Sequence, residues 1–275
     1  MPRFLTLDDI FAIGVVFDAQ LSPDGTQIAF TVSRGYTEGD EKLPRSAIWL
    51  VPFDGSAQAR RITFGPRADQ YARWRPDGAA LAFLSDRAKN GEHQVYLLSL
   101  DGGEARRLTD IKGDVTALQW SPDGTRLAFL AVDGETEAEE KRKKDKDDAV
   151  HVDHDYKYTR LWVIDPGAPG AEPHAVTPGE FQVRGFAWYQ DGWAILTSPT
   201  PKEDDFDEWK LQRLNADGAT EPLWQMRHGT YGLAHGGNGS ALAWTHYRGQ
   251  YLQPAREQSG HLPYTRDTRR GQGSD

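Results

Sequence analysis

Along this chain a large–small–large apolar triplet returns at intervals, each time just after a short polar turn. Leu21-Ser22-Pro23-Asp24-Gly25-Thr26-Gln27 leads into Ile28-Ala29-Phe30. Trp74-Arg75-Pro76-Asp77-Gly78-Ala79-Ala80 leads into Leu81-Ala82-Phe83, and Trp120-Ser121-Pro122-Asp123-Gly124-Thr125-Arg126 into Leu127-Ala128-Phe129. A worn copy is Trp188-Tyr189-Gln190-Asp191-Gly192-Trp193-Ala194-Ile195-Leu196, and a fainter one Gly237-Asn238-Gly239-Ser240-Ala241-Leu242-Ala243-Trp244. Pro presets φ for the second position of a type I turn, Asp suits the third, and Gly supplies the left-handed residue that sends the chain back as a strand. The alternation of bulky residues with Ala fits a strand covered on both faces, with more room on one side than on the other.

A second element follows each hairpin. Ala47-Ile48-Trp49-Leu50-Val51 leads to Arg60-Arg61-Ile62-Thr63, and Gln94-Val95-Tyr96-Leu97-Leu98 to Arg106-Arg107-Leu108-Thr109. Leu161-Trp162-Val163-Ile164 leads to Ala175-Val176-Thr177, and Leu211-Gln212-Arg213-Leu214 to Pro222-Leu223-Trp224. These read as a third strand, an Asp-Gly type turn and an outer fourth strand. Two hairpins in each unit of about 45 residues mark a four-stranded propeller blade. A doubly wound parallel sheet would need crossover helices that such closely spaced turns leave no room for. The expected fold is therefore all-β, a β-propeller of four-stranded antiparallel blades, about five of them visible.

The expected organisation is a lead-in over residues 1–20, blades over 21–245 and a tail over 246–275. In the lead-in, Thr6 is a helix N-cap with Asp9 three residues on. The tail carries Arg248, Arg256, Arg266, Arg269 and Arg270 but no alternating apolar run, so disorder is expected there.

Composition narrows the partners. A 275-residue chain that is 38% hydrophobic and holds nine Trp can bury a sizeable core. A formal net charge of −9 argues against nucleic acid or an anionic membrane as partner, since both reward a basic surface. The chain has no Cys, which excludes disulfides and thiolate zinc sites. Acidic residues Asp8 and Asp9, where an export signal needs an apolar run, make the cytoplasm the expected location.

One insertion interrupts the third unit, over about 133–158. Glu137–Lys141, Glu139–Lys143 and Glu140–Lys144 are acid-before-base pairs at helical spacing, which predicts a solvated, partly helical arm. His151, Asp153, His154 and Asp155 follow, but in a regular strand they do not converge as a metal needs, so they read as a polar edge. A second, acidic loop runs from Pro199 to Glu208 and could attract a cationic group such as a peptide amino terminus.

Catalytic signals are missing. No Ser is flanked by Gly two residues before and two after, no Gly-rich phosphate loop appears, and no His-Glu-x-x-His occurs. Asp24, Asp77, Asp123 and Asp191 have structural work in their turns. No catalytic, cofactor-binding or metal-binding residue is therefore expected on this chain, which is read as no enzyme by itself.

The opening Leu7-Asp8-Asp9-Ile10, the first hairpin, and the insertion ending in Tyr156-Lys157-Tyr158 before Leu161-Trp162-Val163 together resemble the prolyl oligopeptidase family of serine peptidases. The likeness is greatest to its acylaminoacyl-peptidase and dipeptidyl-peptidase-like branch and covers about residues 5–245. It implies a propeller, commonly seven-bladed, that caps an α/β-hydrolase domain, restricts access and helps select short or N-acylated peptides. It also implies that the triad lies in that hydrolase domain, which this chain stops short of. The competing expectation is a stand-alone TolB-like or WD-like propeller that binds proteins or peptides.

Overall fold

The computed structural model describes residues 4, 6, 9, 13–34, 45–146, 156–168, 170–177, 179–202, 208–215, 217–225, 230–235 and 242–246. Four four-stranded antiparallel meanders follow one another, and a hairpin follows them. Blade one comprises β1 (Gly14–Leu21), β2 (Gln27–Arg34), β3 (Arg45–Pro52) and β4 (Arg60–Arg61). Blade two has β5 (Asp69–Trp74), β6 (Ala80–Lys89), β7 (Glu92–Ser99) and β8 (Arg106–Arg107). Blade three has β9 (Val115–Trp120), β10 (Leu127–Val132), β11 (Thr159–Ile164) and β12 (His174–Ala175), with helix α1 (Glu137–Lys144) between β10 and β11. Blade four has β13 (Gln182–Tyr189), β14 (Gly192–Ser198), β15 (Lys210–Leu214) and β16 (Thr220–Gln225). The hairpin is β17 (Thr230–His235) with β18 (Leu242–His246). This is the propeller architecture that the repeat predicts.

Contacts between β1 and β5, β5 and β9, and β13 and β17 place the first strand of each unit innermost. In every inner strand the register with the second strand shifts, across Asp18-Ala19, Tyr71-Ala72, Thr116, Arg184 and Tyr231. Asp18 and Tyr71 take equivalent positions with φ of 53° and 59°, a left-handed conformation that non-Gly residues rarely adopt. From Asp18, a carboxylate reaches Arg73 of the next inner strand at 2.8 Å, and the Arg73 guanidinium lies 3.7 Å over the Tyr71 ring.

The core lies between blades. In β6, Leu81 and Phe83 pack toward blade one with Ile48 and Leu50, while Ala82 and Leu84 pack toward blade three. In β10, Leu127 and Phe129 face blade two, and Ala128 and Leu130 face blade four. In β14, Trp193 and Ile195 face blade three, and Ala194 and Leu196 face the last hairpin. The bulky side always meets the preceding blade, and the Ala side meets the following one. Blade one departs from this. Phe83, Phe129 and Ile195 are fully buried, whereas Phe30 is only half-buried, and Val15, Val16 and Leu21 are exposed.

Small polar bonds repeat with the blades. Trp74 Nε1–H donates to the carbonyl of Gln20 at 3.1 Å, and Trp188 Nε1–H to that of Gln119 at 3.4 Å, each reaching into the preceding blade. The outer strands β4, β8 and β12 have only two residues each. Just past them, the hydroxyls of Thr63, Thr109 and Thr177 accept the backbone N–H of Ile48, Val95 and Leu161 at 2.9–3.0 Å. A buried side chain thus takes over the ladder where the strand stops.

Candidate functional site

In an antiparallel meander the first and third turns share one end of the sheet, and the second turn shares the other end with the link to the next blade. The blades therefore present a hairpin face, which carries the Asp-Gly turns, and an arm face, which carries the second turns. Both loops singled out in the sequence, the insertion at 133–158 and the acidic loop at 199–208, belong to the arm face.

On the hairpin face Asp24, Asp77 and Asp123 each accept hydrogen bonds within their own turns. Asp24 accepts from the Ser22 hydroxyl at 2.6 Å and from the Thr26 N–H at 3.1 Å. Asp123 repeats this with Ser121 and Thr125 at 2.5 and 3.0 Å. In blade two Arg75 replaces the Ser, and its guanidinium grips Asp77 at 2.8 and 2.6 Å while the Ala79 N–H donates at 3.0 Å. The carboxyls of Asp24, Asp77 and Asp123 are all held below the usual range, chiefly by those Ser or Arg donors. Asp191 differs. Its unit closes through a tight turn, with Trp188 paired to Trp193 and Tyr189 to Gly192, where blade three pairs Trp120 with Leu127. Gln190 takes the left-handed conformation at φ 54°, and Asp191 binds Arg213 instead.

On the arm face the described part of the insertion contains the solvated helix expected from the sequence, and side-chain bonds join it to the rest of the blade. Thr136 and Glu139 form a capping box at the start of α1. The helix has no buried residue, yet ion pairs tie it down. Glu139 meets Lys157 of the returning chain, Glu140 meets Lys112 at 3.0 Å, and Lys143 meets Glu135. At its base Asp133 holds Arg160 through two bonds, of 2.7 and 2.9 Å. The Lys157 ammonium, aided by the Thr136 N–H and hydroxyl, pulls the Glu139 carboxyl down to about 2. His151, Asp153, His154 and Asp155 lie outside the described residues. Thr6 and Asp9 exchange the hydrogen bonds expected of them, with Thr6 N–H donating to Asp9 Oδ2 at 2.8 Å.

The acidic loop is anchored by Arg184, from the bulge of β13. Its guanidinium donates to the Ser198 hydroxyl at 3.0 Å and to the carbonyls of Thr200 and Lys202 at 3.2 and 2.6 Å. The Lys202 ammonium lies 5.8 Å over the Tyr156 ring, and Tyr156 meets Tyr158 edge-on. The two arm-face loops therefore touch. Residues 203–207 of the acidic loop lie outside the described residues.

Sequence reasoning missed a histidine beside this arrangement. His93 on β7 lies 2.9 Å through Nδ1 from Asp114, in the link to blade three, and its backbone N–H donates to the same carboxylate at 2.6 Å. Its Nε2 lies 3.2 Å from the amide nitrogen of Gln70. Asp114 raises the His93 pKa, chiefly through that hydrogen bond and against partial burial. The pair has the base and orienter of a triad, but Nε2 faces the Gln70 amide. The arrangement fixes a loop. No motif flags it, because the three residues come from two strands and a link. Among the described residues no three His, Asp or Glu groups converge as metal ligands.

The family description "TolB beta propeller domain" matches residues 12–152. A Bacillus subtilis (strain 168) protein described as the uncharacterized peptidase YuxL is 41% identical over 111 residues, which are 40% of this chain and 16% of the relative. The Tol-Pal system protein TolB of Bordetella pertussis is 42% identical over 60 residues, 22% of this chain and 13% of the relative. Among solved structures, the Pyrococcus horikoshii acylaminoacyl peptidase superposes with a TM-score of 0.59 at 16% identity, covering 80% of this chain and 34% of that one. The matched segments thus span less than a fifth of either curated relative and about a third of the solved peptidase.

Proposed function

Because the chain belongs to the TolB β-propeller domain family, we propose that it serves as the non-catalytic, access-restricting propeller of a serine peptidase acting on short or N-acylated peptides. Its partner on this reading is an α/β-hydrolase domain that carries the catalytic Ser, Asp and His. The observation that carries the proposal is the 41% identity over 111 residues to a protein described as a peptidase. The propeller of the acylaminoacyl peptidase supports the architecture. Within it, the arm face has the means to restrict passage, since two insertions from adjacent blades meet there through Lys202 and Tyr156. The location expected from the sequence, the cytoplasm, goes with this reading. Among the described residues no helix is long and apolar enough to cross a membrane.

The test begins with the DNA that follows this coding segment. A reading frame containing Gly-x-Ser-x-Gly, expressed together with the chain, should yield hydrolysis of N-acetyl-aminoacyl anilides and of short peptides. A folded protein substrate should resist. Removing residues 135–156 should then relax the size limit without changing the rate on the anilide. Hydrolysis of both substrate classes by the intact pair would sink the access-restricting role.

The identity to TolB favours a second reading, a stand-alone scaffold that binds proteins or peptides. If no hydrolase frame follows and the purified chain melts as one cooperative monomer, that reading replaces the first.

A further inference from the structure

The hairpins of blades one, two and three stand side by side, yet the two intervals between them are filled differently. Between blades two and three, Arg75 and Pro76 close the gap. A Cβ built on Gly124 would stand 3.2 Å from Pro76 Cδ and 3.5 Å from Arg75 Cγ. The Arg75 stem therefore runs along the next blade's hairpin while its guanidinium grips Asp77 in its own. Between blades one and two the corresponding residue is Ser22. Its hydroxyl turns inward to Asp24 and to the Gln27 N–H, and a Cβ on Gly78 would meet nothing within 4 Å.

What remains is a cavity of about 430 Å³ whose lining includes Ser22, Asp24, Trp74, Pro76, Asp77 and Gly78. That volume is in the range of small-molecule and side-chain pockets. Its chemistry is lopsided. Asp77 already has a guanidinium, whereas Asp24 accepts from neutral donors, the hydroxyls of Ser22 and Thr26 and the Thr26 N–H. Trp74 has committed its indole N–H to Gln20, which leaves its ring to the groove. An exposed carboxylate, an indole and the prolines Pro23 and Pro76 suit a cation carried on a flat or apolar stem.

We propose that this groove receives an arginine side chain presented by a partner polypeptide that docks on the hairpin face. The guanidinium forks onto Asp24, and its stem lies along Pro76 and Gly78. The neighbouring interval supplies the template, since Arg75 binds the aspartate of its own hairpin and packs on the glycine of the next. The inference is independent of whether the chain works with a hydrolase.

The probe is N-acetyl-arginine amide, titrated into the ¹⁵N-labelled chain while the Trp74 indole and Gly78 amide resonances are followed. Saturable shifts at both are expected, with binding at least tenfold weaker for N-acetyl-citrulline amide, which is isosteric and uncharged. Ser22→Arg should fill the groove as Arg75 fills its own interval. It should abolish the shifts while the melting temperature stays within a few degrees of the parent, because blade two already tolerates arginine there. Asp24→Asn should weaken binding at least tenfold. Equal binding of citrulline and arginine probes would overturn the proposal, as would undiminished binding to a folded Ser22→Arg variant.

Discussion

Trp120 donates its indole N–H to the backbone carbonyl of Arg73 at 3.1 Å, so a strand end in blade three is clamped to the strand end of blade two. The acceptor is the residue just before the first position of the preceding blade's hairpin motif, as it is for Trp74, whose acceptor Gln20 precedes Leu21, and for Trp188, whose acceptor Gln119 precedes Trp120. Trp120→Phe keeps most of the apolar contact but leaves the Arg73 carbonyl without this donor. A loss of about 1–3 kcal/mol in urea unfolding is expected. An unchanged midpoint would show that the clamp contributes nothing.

Thr109 does more than its counterpart Thr63. Its hydroxyl accepts from Val95 N–H at 2.9 Å and donates to the buried Gln94 Oε1 at 2.8 Å. Thr109→Val removes both bonds and should cost about 1–3 kcal/mol, with Thr109→Ser recovering most of it. Thr63→Val should cost less. Chemical denaturation of the three variants decides the order.

Gly113, in the link between blades two and three, has φ of 111°, and a Cβ there would fall 2.0 Å from the Val132 carbonyl oxygen. Gly113→Ala must push that link away from the root of the arm. Faster tryptic cleavage at Lys143 to Lys146 is expected, along with a lower melting temperature. Parent-like cleavage kinetics would mean that the root and the link move independently.

The arm should respond to acid. The Glu139 carboxyl is lowered from 4.5 to about 2 in the folded chain, chiefly by Lys157. A group with a depressed pKa stabilises above its unfolded value, and that contribution is lost as pH falls toward the folded value. Docking of α1 should therefore hold above about pH 4.5 and fail as pH approaches about 2. Carboxyl NMR titration of Glu139, with Lys157→Met as control, reads this directly. A midpoint near 4.5 in the parent would refute the contact.

The blades were legible because their signals are local. Pro23, Asp24 and Gly25 fix a turn by their own dihedrals and hydrogen bonds, and Ile28-Ala29-Phe30 writes the pleat into three adjacent residues. Ordering of the arm was partly legible. Thr136 and Glu139 are a readable capping pair, but Lys112 and Lys157 reach α1 from distant positions. Blade four's shortened turn was masked by its surviving Asp191-Gly192, which sits in a different register. His93, Gln70 and Asp114 carry no spacing rule at all, since only the folding of blade two and of the link that leaves it brings them together. The groove at Gly78 rests on a single exchange, Ser22 against Arg75, whose meaning appears only when neighbouring hairpins are compared in space.

The brevity of β4, β8 and β12 bears on how the molecule behaves in a crowd. An outermost strand of two residues, as in Arg60–Arg61 and Arg106–Arg107, offers almost no free backbone for a foreign strand to zip onto, and both of these expose paired positive charges there. The longer rim strand β16 carries Pro222 in its interior, where a missing N–H breaks any continuous template. The outer rims of the four described four-stranded blades are thus closed to sheet extension by length in the first three, with added charge in two of them, and by proline in the fourth.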